Sequence, residues 1–161
     1  VQTCALPISP PLLDQILAHH RIVHFYEVRR NLAVEYENDR ERISPALLEV
    51  FAEAEKISDD QYHDALATVA AGKEFFVDFF EDFDAIVTPS SAGEALSGLD
   101  STGDPIFSTI WTMCGLPSLS MPLMTGAQGL PIGVQLVAGI EEDDRLCRTA
   151  NWLLDYLSEE S

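Results

Sequence analysis

The chain has 161 residues, of which 47% are apolar, and a formal net charge of −18 from 9 basic and 27 acidic side chains. This length and apolar content are typical of one globular domain and exclude a disordered chain. Because the negative charge repels phosphate backbones and anionic lipid, we expect neither nucleic acid nor a membrane as a partner.

The first eleven residues, VQTCALPISPP, have neither helical nor strand periodicity, and no basic segment leads into an apolar core as in a secretory leader. We expect residues 1–11 to be unstructured or foreign to the fold and residues 12–161 to carry it. The cysteines are three in number and widely spaced, at Cys4, Cys114 and Cys147. This pattern favours reduced thiols in a cytoplasmic protein over a disulfide.

The first half of the chain is predicted to be helical. Apolar residues recur at helical spacing from Leu12 to about Tyr36, and His19-His20 is a candidate position for a break. Ser44-Pro45 is typical of an N-cap followed by proline in the first turn, which predicts a helix to about Lys56.

A second helix start lies at Ser58, where Gln61 follows three residues later as in a capping box. The apolar positions after it predict a long helix that reaches Phe80.

The second half of the chain predicts a small sheet. Apolar runs at 84–88, 118–123 and 131–137 predict three strands, the last two forming a hairpin around Gly126–Gly129. Asp104-Pro105 predicts a helix to about Cys114, and the acidic residues 141–144 open a final helix. The fold class is therefore α/β, but three strands make an incomplete sheet for so many helices.

Candidate chemistry is sparse. His20, His24 and Glu27 share one helical face, but they do not form an HExxH motif, so packing or solvent-exposed side chains are the favoured interpretation and no metal site is predicted. Cys114 lies among apolar neighbours, which favours a packing thiol. We find no nucleophile with an activating base, hence no catalytic residue in this chain and no cofactor fingerprint.

The polar loop 97–105 is the remaining candidate. It follows a predicted buried strand and leads into a helix N-terminus, which is where α/β proteins place ligands. An ordinary connecting loop is the alternative.

Several motifs in succession carry a resemblance to a known family. They are DFDAIVTPS, GLDSTGDPIFSTIWTMCGLPSLSMPL, GLPIGVQLVAG and DDRLCRTANWL, preceded by a helical segment with Ser58 and Tyr62 at S-x-x-x-Y spacing. Over about residues 20–158 the sequence resembles the C-terminal part of amidase-signature enzymes. The resemblance implies part of an α/β/α sandwich with a mixed sheet, and residues 12–161 as the C-terminal portion of one such domain.

The family's activity is the hydrolysis of linear amide C–N bonds through an acyl-enzyme, by a Ser–cis-Ser–Lys triad in a Gly- and Ser-rich segment. This sequence contains none of those motifs, so no residue inherits a catalytic role. The resemblance implies a small-molecule amide substrate for a longer parent protein, no cofactor, a chain that is inactive alone, and a homodimer as a candidate assembly.

Two residues are candidates for the substrate pocket wall. Asp104 either points its carboxylate into the pocket or only caps the helix, and Trp111 either forms an apolar wall or only packs. Two other functions stay open: the A subunit of a glutamine-dependent tRNA amidotransferase, and a non-catalytic interaction module.

Overall fold

The computed structural model describes residues 11–99 and 101–159. Residues 1–10, for most of which we predict an unstructured end, lie outside the described residues, and Pro11 already belongs to the first helix. The chain divides between Ala71 and Gly72 into two compact units, which are described separately below.

The first unit is helical. Its α1 does not break at the predicted position, because the helix continues through His19-His20 and is interrupted only at Leu32. At the position of the predicted break, His19 Nδ1 lies 3.0 Å from the hydroxyl of Thr68. The elements are α1 (Pro11–Asn31), α2 (Ala33–Asn38), a 3-10 turn (Arg40–Arg42), α3 (Pro45–Ala54) and the first part of α4 (Asp59–Asp82).

Both predicted caps are confirmed. Ser44 Oγ accepts the Leu47 amide at 3.3 Å, with Pro45 in the first turn of α3. Ser58 Oγ accepts the Gln61 amide at 3.2 Å, while the Gln61 side chain accepts the Ser58 amide at 2.9 Å, which completes the capping box of α4.

Aromatic stacking joins the helices of this unit. The Tyr36 ring stacks on Phe51 with centroids 4.1 Å apart, and Tyr26 stacks on Tyr62 at 4.0 Å. Tyr26 also donates a hydrogen bond to Asp59 at 2.9 Å, so the start of α4 is held against α1 by both ring contact and hydrogen bonding.

The second unit is built on a three-stranded sheet. The strands are β1 (Ile86–Pro89), β2 (Ser118–Thr125) and β3 (Pro131–Val137), and the helices are the end of α4, α5 (Ile106–Cys114) and α6 (Asp143–Glu159). The order is β1-β3-β2 and both described pairings are antiparallel. The predicted β2–β3 hairpin is confirmed, with Gly129 at φ +84° in its turn.

The β2 strand runs two residues beyond its predicted end. Its register shifts between Met121 and Met124, on either side of Pro122. Proline has no amide proton for the ladder, so the irregularity lets the strand pass Pro122 and resume pairing up to Thr125.

The two faces of the sheet differ in character. Side chains alternate along a strand, so Leu136 and its cross-strand partner Leu119 share the face on which α6 packs. A core cluster forms there from Met121, Leu136, Ala138, Leu146 and Ala150.

The opposite face carries Gln135, whose side chain contacts the first turn of α5. Within this unit, α6 therefore packs on one face of the sheet, and the first turn of α5 bonds to a side chain on the other face.

Candidate functional site

Asp104 lies in the exposed loop before α5, where one of its carboxylate oxygens caps the start of the helix. Its Oδ1 accepts the backbone amide of Ile106 at 3.0 Å, although Pro105 is the residue that formally precedes the helix. The carbonyl of Pro105 accepts hydrogen bonds from the hydroxyls of Ser108 at 3.0 Å and Thr109 at 2.9 Å. The carboxylate itself is exposed, so capping does not withdraw its charge from solvent.

Trp111 lies toward the other end of α5, and its position shows that it packs. Its ring meets Phe76 edge-to-face with centroids 5.7 Å apart. Its indole Nε1 is buried and has no hydrogen-bond partner among the described residues, while the side chain as a whole is only half-buried. Trp111 is the sixth of the nine residues of α5 and lies about 8 Å of helical rise beyond Ile106, so the two candidates are separated along the helix.

Gln135 connects α5 to the sheet. Its side chain is 4% exposed, and Nε2 lies 2.9 Å from Thr88 Oγ1, 3.1 Å from the Pro89 carbonyl and 2.5 Å from the Phe107 carbonyl. The first two acceptors belong to the end of β1 and the third to the first turn of α5. One buried carboxamide thus joins three chain segments.

A pair of hydroxyls lies on the same sheet face. Ser90 Oγ and Ser120 Oγ are 2.6 Å apart, although the edge strands β1 and β2 have β3 between them. The bond passes over Gly133, where an added Cβ would lie 2.5 Å from Ser120 Oγ and 2.6 Å from Ser90 Oγ. Glycine is therefore the residue that leaves room for this pair.

Glu94 anchors the long loop that follows β1. Its Oε1 accepts the amide of Gln128 at 2.8 Å and that of Leu130 at 3.1 Å, both from the turn between β2 and β3. A Cβ at Gly126 would collide with the Glu94 side chain. The loop is therefore attached to the hairpin turn at Glu94 and to α5 at Asp104.

Among the described residues, the serine hydroxyls donate to Gln61, to another serine or to backbone carbonyls, and none bonds to a His, Lys, Asp or Glu side chain. The Thr68 hydroxyl lies 3.0 Å from His19 Nδ1 and 3.2 Å from the Asp64 carbonyl. Cys114 is fully buried, which confirms that its thiol packs in the core, and burial raises its pKa to about 11.

The histidine face of α1 has ordinary contacts. The rings of His20 and His24 are 5.5 Å apart, and burial followed by repulsion from His24 lowers the pKa of His20. The Glu27 carboxylate accepts the Tyr62 hydroxyl at 3.0 Å. Within residues 11–99 and 101–159, no three His, Cys, Asp or Glu side chains are grouped to hold a metal ion. None of the described helices is both long and apolar enough to cross a bilayer.

Comparison with known protein families and solved structures identifies the family of this chain. The family model described as Amidase matches residues 13–147. The chain belongs to the amidase family. A solved amidase structure superposes with a TM-score of 0.75 at 22% identity over 89% of this chain, and a bacterial aryl acylamidase of the amidase signature enzymes superposes with 0.60 at 20% over 88%. At these identities the likeness shows the amidase fold.

A relative in sequence is the A chain of an amidotransferase, the mitochondrial glutamyl-tRNA(Gln) amidotransferase of Mus musculus, 38% identical over 87 residues. The match covers 48% of this chain but 17% of the mouse protein, and the superposition covers 36% of the solved amidase. The chain therefore spans about a third or less of the length of the amidase-family proteins it resembles.

The residues that join the chain segments of the site were not identified from the sequence. Gln135, Glu94 and the Ser90–Ser120 pair each join segments at least 28 residues apart. The alternation in Ser118-Leu-Ser-Met121 does predict Ser120 on the face opposite the α6 core, but only the strand order brings Ser90 to it.

Proposed function

We propose that this chain is the C-terminal part of an amidase that hydrolyses linear carboxamide C–N bonds through an acyl-enzyme. The observation that carries the proposal is the family match over residues 13–147 in a chain whose described serines form no hydrogen bond with a His, Lys, Asp or Glu side chain. A nucleophile, its base and the oxyanion donors must then come from residues outside this chain. On this proposal residues 1–161 alone do not turn over an amide.

The polar loop and α5 form one wall of the substrate pocket in this proposal. Asp104 supports it because its carboxylate stays exposed while one oxygen caps the helix. A carboxylate there would bind an amino group or an amide N–H of the substrate. Trp111 supplies an apolar surface through the part of its ring that Phe76 leaves uncovered.

A second candidate function has its own observation. The mouse relative described above belongs to an amidotransferase, and its identity of 38% exceeds that of the solved amidases. The parent would then release ammonia from glutamine in an assembly with other subunits. A non-catalytic interaction module is the third candidate, since the described residues hold no complete catalytic centre.

The test uses the protein encoded by the complete open reading frame that contains this chain. We expect it to hydrolyse aryl or aliphatic amides without a partner, whereas glutaminase activity that needs a partner protein would favour the amidotransferase function. An in-frame stop and a start codon close to Val1 would favour the interaction module.

Asp104 has a matched set of variants in that protein. Asp104→Asn keeps a cap oxygen but removes the charge, and Asp104→Ala removes both. We expect both variants to raise KM for amides with a second amino group by about tenfold, the loss of one charge-assisted hydrogen bond. Asp78→Asn is the control, because Asp78 is an exposed carboxylate on α4. A KM that changes only in Asp104→Ala would assign Asp104 to capping alone.

The cellular setting is also proposed. Cys114 and Cys147 are free thiols, which supports a reducing, cytoplasmic location. We keep a homodimer as the proposed assembly, to be measured by light scattering on the complete protein.

A further inference from the structure

The buried Gln135 amide has more acceptors than protons. A carboxamide nitrogen carries two protons, and three oxygens lie within 3.1 Å of Gln135 Nε2. Two of them are backbone carbonyls, of Pro89 and Phe107, on different segments. Both N–H groups of this side chain therefore donate hydrogen bonds, and their acceptors lie on chain segments other than β3.

The two carbonyls lie at either end of the loop that connects β1 with α5. Pro89 is the last residue of β1, and Phe107 is the second residue of α5, three residues after Asp104. Bringing the ends of a flexible loop together costs conformational entropy, and a fixed donor between them offsets part of that cost. Gln135 comes from the central strand, which is flanked on both sides and is the most constrained part of the sheet.

Two side chains from outside α5 bond to its first turn: Asp104 accepts the Ile106 amide, and Gln135 donates to the Phe107 carbonyl. The helix has only nine residues, Ile106–Cys114. Short helices are marginal by themselves and rely on tertiary contacts. The Phe107 carbonyl held by Gln135 is such a contact in the first turn, next to the loop that carries Asp104.

We propose that Gln135 is a positioning residue, whose carboxamide holds the first turn of α5 against the end of β1 and so sets where the Asp104 carboxylate stands. The role of Asp104 in substrate binding rests on the proposed function. The hydrogen bond between Gln135 and α5 is argued from geometry alone. This bond and the role of Asp104 are therefore tested separately.

The first test is hydrogen exchange on the 161-residue chain, with no substrate. Gln135→Met keeps the size of the side chain but removes its donors. We expect exchange in α5 to accelerate by about tenfold relative to the native chain, while α6 keeps its protection, because only local opening becomes easier. Ser120→Ala is the matched control: it breaks the Ser90 bond on the same sheet face but does not touch α5, so α5 exchange stays unchanged.

A purely structural role would give a different pattern. Equal acceleration in α5 and α6 after Gln135→Met, or unchanged α5 exchange, would overturn the proposal.

Gln135→Glu provides a second readout. The ionised carboxylate of this variant would have no proton to donate to the three acceptor oxygens around it. Burial raises the pKa of such a carboxyl group. We expect α5 to be least protected near about pH 8 and to regain part of its protection near about pH 5, where the carboxyl carries one proton to donate. The pH dependence of exchange in the native chain is subtracted first. If the protection of α5 in Gln135→Glu then does not change with pH, the proposed bond between Gln135 and α5 is contradicted.

The positioning role is then measured in the protein from the complete reading frame. Gln135→Met is expected to raise KM about as much as Asp104→Ala does, with a smaller change in kcat. If Gln135→Met accelerates exchange in α5 but leaves KM unchanged, Gln135 holds α5 but does not position Asp104 for substrate binding, and the positioning role is overturned. If the native protein hydrolyses no amide, the proposed function fails, while the exchange experiment still decides whether Gln135 holds α5.

Discussion

Replacement of Gly133 by alanine tests the packing over the central strand. The new Cβ would lie 2.5 Å from Ser120 Oγ, 2.6 Å from Ser90 Oγ and 2.9 Å from Ser90 Cβ. The two hydroxyls can rotate away, but only by giving up their mutual hydrogen bond, which contributes about 0.5–1.5 kcal/mol. The Ser90 Cβ can move only with its backbone, which is itself bonded, since the Ser90 amide donates to the Gly133 carbonyl at 2.8 Å.

The expected balance is destabilising. Overpacking of this kind costs about 1–3 kcal/mol. Alanine is favoured over glycine inside a strand by about 0.5–1 kcal/mol, which offsets part of that cost. We therefore expect Gly133→Ala to lower the free energy of unfolding by about 1–2 kcal/mol, as measured by urea denaturation followed by circular dichroism.

Two background variants separate the clash from other effects. In Ser90→Gly both Ser90 contacts vanish, so Gly133→Ala should there cost less than about 0.5 kcal/mol or become stabilising. Ser120→Ala removes only one hydroxyl and should rescue less. Equal costs in the native chain and in the Ser90→Gly background would refute the claim that Gly133 is required by the hydroxyl pair.

Two further predictions concern a helix cap and a thiol. Ser58→Ala should lower the free energy of unfolding by about 1 kcal/mol in urea titrations, because the α4 capping box loses its hydroxyl, whereas the exposed Ser97→Ala should have no effect. Burial raises the pKa of Cys114 to about 11, from 9.0, so the stability that its buried neutral thiol contributes is present below pH 9 and is lost as the pH rises toward 11. The difference between native and Cys114→Ala unfolding free energies should shrink across that window, and a constant difference would contradict it. At pH 8, peptide mapping should show exposed Cys147 alkylated well before Cys114.

Local chemistry made much of the secondary structure predictable. Caps at Ser44 and Ser58 act within three residues, so both helix starts could be predicted from the sequence. The local sequence left a break at His19-His20 open, and the contact between His19 and Thr68, 49 residues apart, could not be predicted from it. Similarly, nothing local predicts that β1 pairs with β3 or that β2 extends from its predicted end at Leu123 to Thr125.

The site was predictable only in outline. The residues of the loop indicate Asp104 at a helix start, and the structure confirms the cap through the Ile106 amide. The glutamine that we propose holds that helix in place comes from β3, which the sequence predicted only as a hairpin strand. Its partners are 28 to 47 residues away in sequence, and they become neighbours only once the order of the strands is known.

The most direct test of the central claim compares two proteins in one amide-hydrolysis assay. One is the protein encoded by the complete reading frame, and the other is residues 1–161 alone, each given aryl and aliphatic amides. The account predicts turnover by the first and none by the second, because no described serine forms a hydrogen bond with a His, Lys, Asp or Glu side chain that could activate it. Turnover by residues 1–161 that survives purification would contradict it.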